Sequence, residues 1–319
     1  MHSTEKNLPL VSIGIPTYNN AQYLADAVKS AMAQDYANLE IIIINDDSPD
    51  STSTLVESFI TDPRVRYFKN EYNIGRVATY RKGLYDLSKG DWYLNLDGDD
   101  YFTDCSYISK AIDWAQSYEN VVMVTSAGER RVNDNLDCVF RSGYDGEVSC
   151  IDGKTFFQDI PSGKACIMHC TTLYLRAKAM EMDFYNEDIL SADFESLYRL
   201  ALTGNIVNYN KVVGVWRIHG KNVSENNKFA LNNIIRNFIF VEKPALFARS
   251  HLPGKTVSHW RKVMLVRILE GYILSVIIHK PGNSFVMLLR MFKKYPLLFC
   301  TSCVNIVIRN FKKLWRLKK

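Results

Sequence analysis

Residues 39–45 read Leu-Glu-Ile-Ile-Ile-Ile-Asn, an apolar run without polar alternation. A strand of that kind is covered on both faces, because a wet face would show a polar residue at every second position. Covering both faces needs helices above and below the sheet, and the flanking sequence offers them. Residues 10–16, 65–68, 92–96 and 121–124 are further short apolar strands. Helices are predicted over 21–33, 51–60, 76–88 and 104–118, the second opened by Ser51 as its cap. This alternation predicts an α/β chain with a mainly parallel central sheet flanked by helices. Residues 126–175 are less regular, and a helix over 192–203 and two short strands, 206–209 and 212–218, follow.

Beyond residue 225 the pattern changes to long apolar helical stretches over 226–249, 256–279, 284–294 and 296–316, broken at Pro253, Pro281 and Pro296. Two regions are expected, 1–225 and 226–319. The longest uncharged run, Tyr295 to Ile308, falls short of the roughly 20 residues that span a bilayer. The net charge of +5 is unevenly spread, with ten Lys or Arg and no Asp or Glu from Lys280 onward. That basic tail is interleaved with Leu, Phe, Ile and Trp, which suits an anionic membrane surface better than nucleic acid. Phe311, Leu314 and Trp315 would bury while Lys and Arg meet lipid headgroups. A helical appendage that packs on the rest of the chain or pairs two copies is the other reading. Met1 to Leu8 lacks the apolar run of an export signal, so a cytoplasmic location is expected and the sequon Asn222-Val-Ser224 carries no weight. Seven scattered cysteines fit a reducing compartment. Cys300-Thr-Ser-Cys303 and Cys166-Ile-Met-His169-Cys170 have metal-like spacing, yet read as reduced core cysteines.

In such sheets ligands sit beyond the carboxyl ends of the strands, here the loops 16–20, 45–50, 69–76 and 97–101. The first strand is followed by no G-x-G-x-x-G and the chain has no Walker lysine loop, which removes the main support for dehydrogenases and P-loop enzymes. Asp97-Gly98-Asp99-Asp100 instead closes the strand at 92–96. Clustered carboxylates at a buried strand end repel one another unless a cation joins them. Two of them two residues apart suit a hard divalent ion whose other ligands come from a phosphate. A solvated acidic turn is the plainer alternative. Pro16-Thr17-Tyr18-Asn19 and Asn45-Asp46-Asp47-Ser48-Pro49-Asp50 stand at the first two strand ends. An Asp there can accept the imide N–H of uracil or its guanine equivalent, with Tyr18 as a stacking face. A turn with a helix cap uses the same residues with no ligand at all.

Several segments fall in a fixed order: Val11-Ser-Ile-Gly-Ile-Pro-Thr-Tyr-Asn19, Ile42-Ile-Ile-Asn-Asp-Asp-Ser-Pro-Asp50, Asn73-Ile-Gly75 with Arg81-Lys-Gly83, and Leu96-Asp-Gly-Asp-Asp100. Further on come Ala192-Asp193-Phe194-Glu195 with Arg199-Leu200, then Trp216-Arg217-Ile218-His219-Gly220 with Ser224. Over residues 8–225 the chain thereby resembles the family 2 glycosyltransferases of bacterial surface-polysaccharide type, which have the glycosyltransferase-A fold.

The resemblance implies an inverting, metal-dependent transfer of a sugar from a nucleotide-sugar donor, a UDP-sugar being favoured, to a hydroxyl of a lipid-linked glycan. Pro16, Thr17, Tyr18 and Asp46 would hold the nucleobase side of the donor and Arg81 would lie near the nucleotide. Asp97 would face the ribose or the metal shell, Asp99 would bind Mg²⁺ or Mn²⁺ with His219 closing the metal site, and Asp193 would be the general base. A peripheral place on the inner face of the cell membrane, through the basic C-terminal helices, completes the expectation. The chain departs from the family at Asp47, where glycine is usual, at Ala192 in place of glutamate, which leaves Glu195 as a fallback base, and at Lys82 beside Arg81, which would strengthen diphosphate contacts. Two other readings remain open. One is a haloacid-dehalogenase-like phosphohydrolase with Asp97 as nucleophile, although that motif normally follows the first strand. The other is a sugar-nucleotide binder without catalysis.

Overall fold

The computed structural model describes residues 8–220, 222, 231–279 and 282–316. Four strands in the first hundred residues, β1 (Val11–Thr17), β2 (Leu39–Asn45), β3 (Val65–Lys69) and β4 (Trp92–Asn95), pair in parallel in the order β3-β2-β1-β4. Every residue of β1 and β2 is buried, as the unbroken isoleucine run demands. Helix α1 (Ala21–Met32) follows β1 and buries Leu24, Ala27, Val28 and Ala31, one face at helical spacing. Helix α2 is shorter than its apolar pattern suggested, covering only Thr52–Val56. Ser51 makes no side-chain cap. Asp50 does, accepting from Thr52 N at 3.1 Å while its other oxygen takes Ala21 N of α1 at 2.9 Å.

Gly75 has φ +90° and ψ 158°, a conformation open essentially to glycine, and it starts helix α3 (Arg76–Lys82). A π-helical turn, Gly83–Leu87, replaces the rest of the helix expected to residue 88. The short strand β5 (Tyr101–Phe102) precedes α4 (Tyr107–Ser117). The sheet then continues through strands that sequence periodicity resolved poorly. β6 (Val121–Val132) runs eight residues beyond its apolar start, and β7 (Asn135–Phe140) and β8 (Val148–Ile151) flank it and its neighbour. β9 (Leu173–Leu175) lies antiparallel between β4 and β6. The two strands expected over 206–209 and 212–218 are one, β10 (Asn205–Ile218), whose register against β6 shifts between Tyr209 and Val212. That irregularity breaks the alternation a single strand would show. Helices α5 (Gly153–Asp159), α6 (Arg176–Glu181) and α7 (Ala192–Ala201) complete this part.

The chain divides into two compact units, one of Met1–Asp188 with Ala192–His219, the other of Ile189–Ser191 with Gly220–Lys319. The second is helical over Leu231–Asn237, Ile239–Ala248, Gly254–His279, Ser284–Lys294 and Pro296–Arg316. In this unit Ser302 Oγ reaches the Val266 carbonyl at 3.2 Å, and Asn305 and Arg309 bind the Glu270 carboxylate. Met287, Met291 and Ile306 are buried, while Phe285, Leu297 and Ile278 are largely exposed. Among the described residues no helix is long and apolar enough to cross a membrane. The boundary expected at 225/226, Ser224 and the first seven residues lie outside the described residues, as do the side chains of Phe311, Leu314 and Trp315.

Candidate active site

The carboxyl end of β1 carries Pro16 and Thr17, both buried, and Tyr18, about half exposed (48 %). Gly98, in the loop after β4, lies directly on this turn: its N–H donates to the Pro16 carbonyl at 3.1 Å, and a Cβ there would meet Thr17 Cβ at 3.0 Å. The close approach locks the acidic loop onto the end of β1. Thr17 Oγ1 is buried and has no hydrogen-bond partner among the described residues. A buried hydroxyl of this kind is an unmet polar demand that a ligand can satisfy.

Asp46 follows β2 and is buried at 3 % exposure. Its Oδ1 accepts from Asn70 Nδ2 at 2.8 Å and Ile74 N at 2.9 Å, and its Oδ2 from Gly75 N at 2.9 Å. The carboxylate therefore fixes the loop 70–75 and keeps one acceptor position for a further donor. Asp47 adopts φ +57°, the left-handed region that aspartate tolerates and glycine prefers. Its charge is met by Lys69 Nζ at 3.0 Å. Lys82, expected near a diphosphate, donates to Asn70 Oδ1 at 2.7 Å and so buttresses Asp46. Arg81 donates to the Phe184 carbonyl at 2.8 Å, pairs with Asp183 at 2.7 Å and stacks over Tyr85. It holds the loop before α7.

The acidic loop resolves into distinct roles. Asp100 turns inward, 3 % exposed, and accepts from Arg217 N at 2.9 Å. Burial and the neighbouring Asp99 and Asp97 push its carboxyl well above the ordinary range. Asp99 Oδ2 lies 2.9 Å from His219 Nε2, and the imidazole stacks on Tyr23 with centroids 4.2 Å apart. Asp97 Oδ1 accepts from Tyr80 OH at 2.5 Å and Asn95 Nδ2 at 3.2 Å. Burial raises the Asp97 carboxyl, opposed by His169, Tyr80 and Arg76 and reinforced by Asp99.

Asp193 lies in the first turn of α7, inside the helix rather than ahead of it as a cap. Its Oδ2 is 3.7 Å from His169 Nδ1, which in turn is 4.0 Å from Asp97 Oδ2. One imidazole thus faces acids from two distant parts of the chain. Glu195, the fallback base, is fully buried and both its oxygens are bound by Arg199, so it is withdrawn from any ligand.

Arg76, His169 and Tyr80 were not singled out as site residues from sequence. Arg76 opens α3, its guanidinium 5.2 Å over the Tyr80 ring, and it senses both Asp193 and Asp97 electrostatically. His169 lies in the Cys166–Cys170 stretch, whose cysteines read from sequence as reduced core residues, and no local pattern ties it to Asp97 or Asp193. All seven cysteines are free thiols, and buried Cys170 hydrogen-bonds Asp100. Among the described residues no three His, Cys, Asp or Glu side chains form a ready metal cage. The Asp99–His219 pair offers one carboxylate and one imidazole, a donor set that fits Mn²⁺ when a diphosphate supplies further oxygens and fits Mg²⁺ through the carboxylate and diphosphate alone.

A model of the family described as "Glycosyl transferase family 2" matches residues 12–179. An "Uncharacterized glycosyltransferase" of Haemophilus influenzae is 27 % identical over 231 residues, covering 69 % of this chain and 68 % of its own. Another, from Rickettsia typhi, is 26 % identical over 311 residues, covering 96 % and 92 %. The chain spans far less of some relatives, 28 % of one from Rickettsia bellii. WcaA of Escherichia coli, whose name assigns it provisionally to colanic acid biosynthesis as a glycosyl transferase, is 37 % identical over 101 residues, 31 % of this chain and 35 % of its own. Among solved structures, S. aureus TarS 1-349 in complex with UDP-GlcNAc superposes with TM-score 0.66 at 16 % identity, covering 92 % of this chain and 90 % of that one. Mannosyltransferase PcManGT from Pyrobaculum calidifontis, in complex with GDP-Man and Mn²⁺, superposes at 0.58 and 14 %, covering 98 % and 88 %. At such identities the likeness speaks to the fold, and it is the glycosyltransferase-A fold.

Proposed function

The chain belongs to glycosyl transferase family 2 and is a glycosyltransferase, and from that premise we propose an inverting, cation-assisted transfer with Asp193 as general base. The observation that carries this reading is the convergence of Asp193 and Asp97 on His169, at 3.7 and 4.0 Å. An acceptor hydroxyl beside Asp193 gives up its proton to the carboxylate as its oxygen attacks the anomeric carbon. The attack comes from the side opposite the departing diphosphate, so configuration inverts. Thr17 and Tyr18 flank the nucleotide, and the remaining acceptor position on Asp46 takes the nucleobase N–H. Asp97 faces the ribose. Arg76, whose guanidinium interacts electrostatically with Asp193 and Asp97, joins Arg81 as a cation on the nucleotide side of the site. Asp99 and His219 would hold Mg²⁺ or Mn²⁺, which offsets the charge gathering on the leaving diphosphate.

UDP-GlcNAc and GDP-Man, the ligands of two structural neighbours, frame the donor class, and Mn²⁺ in one of them supports the cation. A UDP-sugar remains the favoured donor. The likeness to WcaA supports surface-polysaccharide synthesis, with a lipid-linked glycan as acceptor. A peripheral position on the cytoplasmic face of the membrane fits the exposed apolar residues and basic charge of the C-terminal helices.

The test is turnover of UDP- and GDP-sugars by the full chain with Mn²⁺, with EDTA, and in Asp193→Asn. Turnover abolished by EDTA and restored by Mn²⁺ is expected. Asp193→Asn should lose roughly 10²–10⁴ in kcat and bind the donor with unchanged affinity. An Asp193→Asn protein as active as the wild type refutes the assignment of the base.

A further inference from the structure

We propose that His169 is a positioning residue for Asp193, its Nδ1–H held toward the Asp193 carboxylate by a tyrosine relay behind it. This rests on the reading of Asp193 as the base. Nδ1 faces Asp193 Oδ2 at 3.7 Å and Asp97 Oδ2 at 4.0 Å, and both oxygens are acceptors when ionised. The nitrogen pointing at two carboxylates is therefore the one that carries hydrogen. On the far side, Nε2 lies 3.5 Å from Tyr185 OH, which is 3.0 Å from Tyr174 OH. Tyr174 is fully buried and Tyr185 nearly so. A hydroxyl donating to Nε2 fixes the tautomer, as the hydrogen bond on one ring nitrogen decides the state of the other.

The ring is also clamped. Tyr80 packs against both His169 and Tyr185, with centroids 5.7 and 5.3 Å away, while its own OH holds Asp97. Tyr185 sits at φ +57°, and its N–H is anchored to Ser196 Oγ on α7, one turn beyond Asp193. The imidazole and the carboxylate it faces are thus tied to the same helix. The 3.7 Å separation is longer than a hydrogen bond and closes by less than 1 Å, a tightening of the kind that occurs when substrate enters. With Nδ1–H on one oxygen, the second carboxylate oxygen is presented to the acceptor.

Two measurements test this. Ring ¹⁵N–¹H correlation spectra of the full chain, with His169 assigned through His169→Asn, should show a protonated Nδ1 whose resonance moves in Asp193→Asn and in Tyr185→Phe. A proton on Nε2 with Nδ1 bare overturns the proposal, whether or not a donor has been found. With the sugar nucleotide that the wild type turns over in the presence of Mn²⁺, His169→Ala should lower kcat by on the order of 10-fold or more, with donor KM within about 3-fold. His169→Asn, which can keep a donor near the Nδ1 position, should recover most of that loss. An unchanged kcat in His169→Ala alongside an inactive Asp193→Asn overturns the positioning role alone. An active Asp193→Asn overturns the base, and the positioning role falls with it.

Discussion

Asp46 commits both carboxylate oxygens to the chain around it, through Asn70, Ile74 N and Gly75 N. Its strand-end position suggests a nucleobase contact, whereas the geometry shows an architectural duty that the spacing does not reveal. The partners are 24 to 29 residues away, joined only because β2 and β3 are parallel neighbours. Asp46→Ala leaves the buried Asn70 amide and the half-buried N–H groups of Ile74 and Gly75 without an acceptor, at roughly 1–3 kcal/mol for each group that stays unsatisfied. The expected loss is about 3 kcal/mol, read as a lower urea midpoint with unchanged slope. A midpoint equal to the wild type's would mean that the loop holds without the carboxylate. Arg81 and Lys82 teach the same lesson from the other side. Both are cations beside a phosphate-type motif, and both are engaged by Asp183, the Phe184 carbonyl and Asn70.

At the scale of elements, Asp50 joins two helices by accepting from the first N–H groups of α1 and α2. Burial alone would raise its carboxyl, but hydrogen bonds from Thr52 and Ala21 outweigh that and hold it below the ordinary aspartate value. A lowered native pKa means that the stabilisation is present above the unfolded value and is lost as pH falls through the native one. Asp50→Ala should therefore cost about 1–2 kcal/mol at pH 7. The difference between variant and wild type should shrink toward zero in acid unfolding series below the native pKa. A difference independent of pH would show that the cap does not act through its charge. The bulged β10 and the short α2 are two of the elements whose extent the hydrophobic pattern does not give. A register shift and a five-residue helix leave too few periods for hydrophobic spacing to register.

Over the whole molecule, charge and apolar exposure are unevenly distributed. The C-terminal helices do not form a loose basic arm, because Ser302, Asn305 and Arg309 bind helix Gly254–His279. What they leave outward, including Phe285, Leu297, Val304 and Lys293, has the composition of an interfacial surface. Phe285→Ser with Lys293→Glu changes only exposed positions and should leave the fold intact. On the proposed membrane placement, binding of the wild type to vesicles containing phosphatidylglycerol is expected, and the double variant should bind roughly an order of magnitude more weakly, since each basic residue near an anionic surface contributes about 1 kcal/mol. The remaining binding should weaken further in high salt. Undiminished binding of the double variant would place the contact elsewhere.

The ordered strand-end motifs determined the sheet class and the family, because buried parallel strands are apolar throughout and their carboxyl-end loops are short enough to hold a recognisable pattern. Tertiary structure alone decided which of those residues face one another. His169 meets Asp193 and Asp97 across separations of 24 and 72 positions in the chain, and Asp99 meets His219 across 120. Contacts of that range come from how β4, β10 and α7 are brought together, and no local periodicity encodes a distance between side chains that only folding makes neighbours.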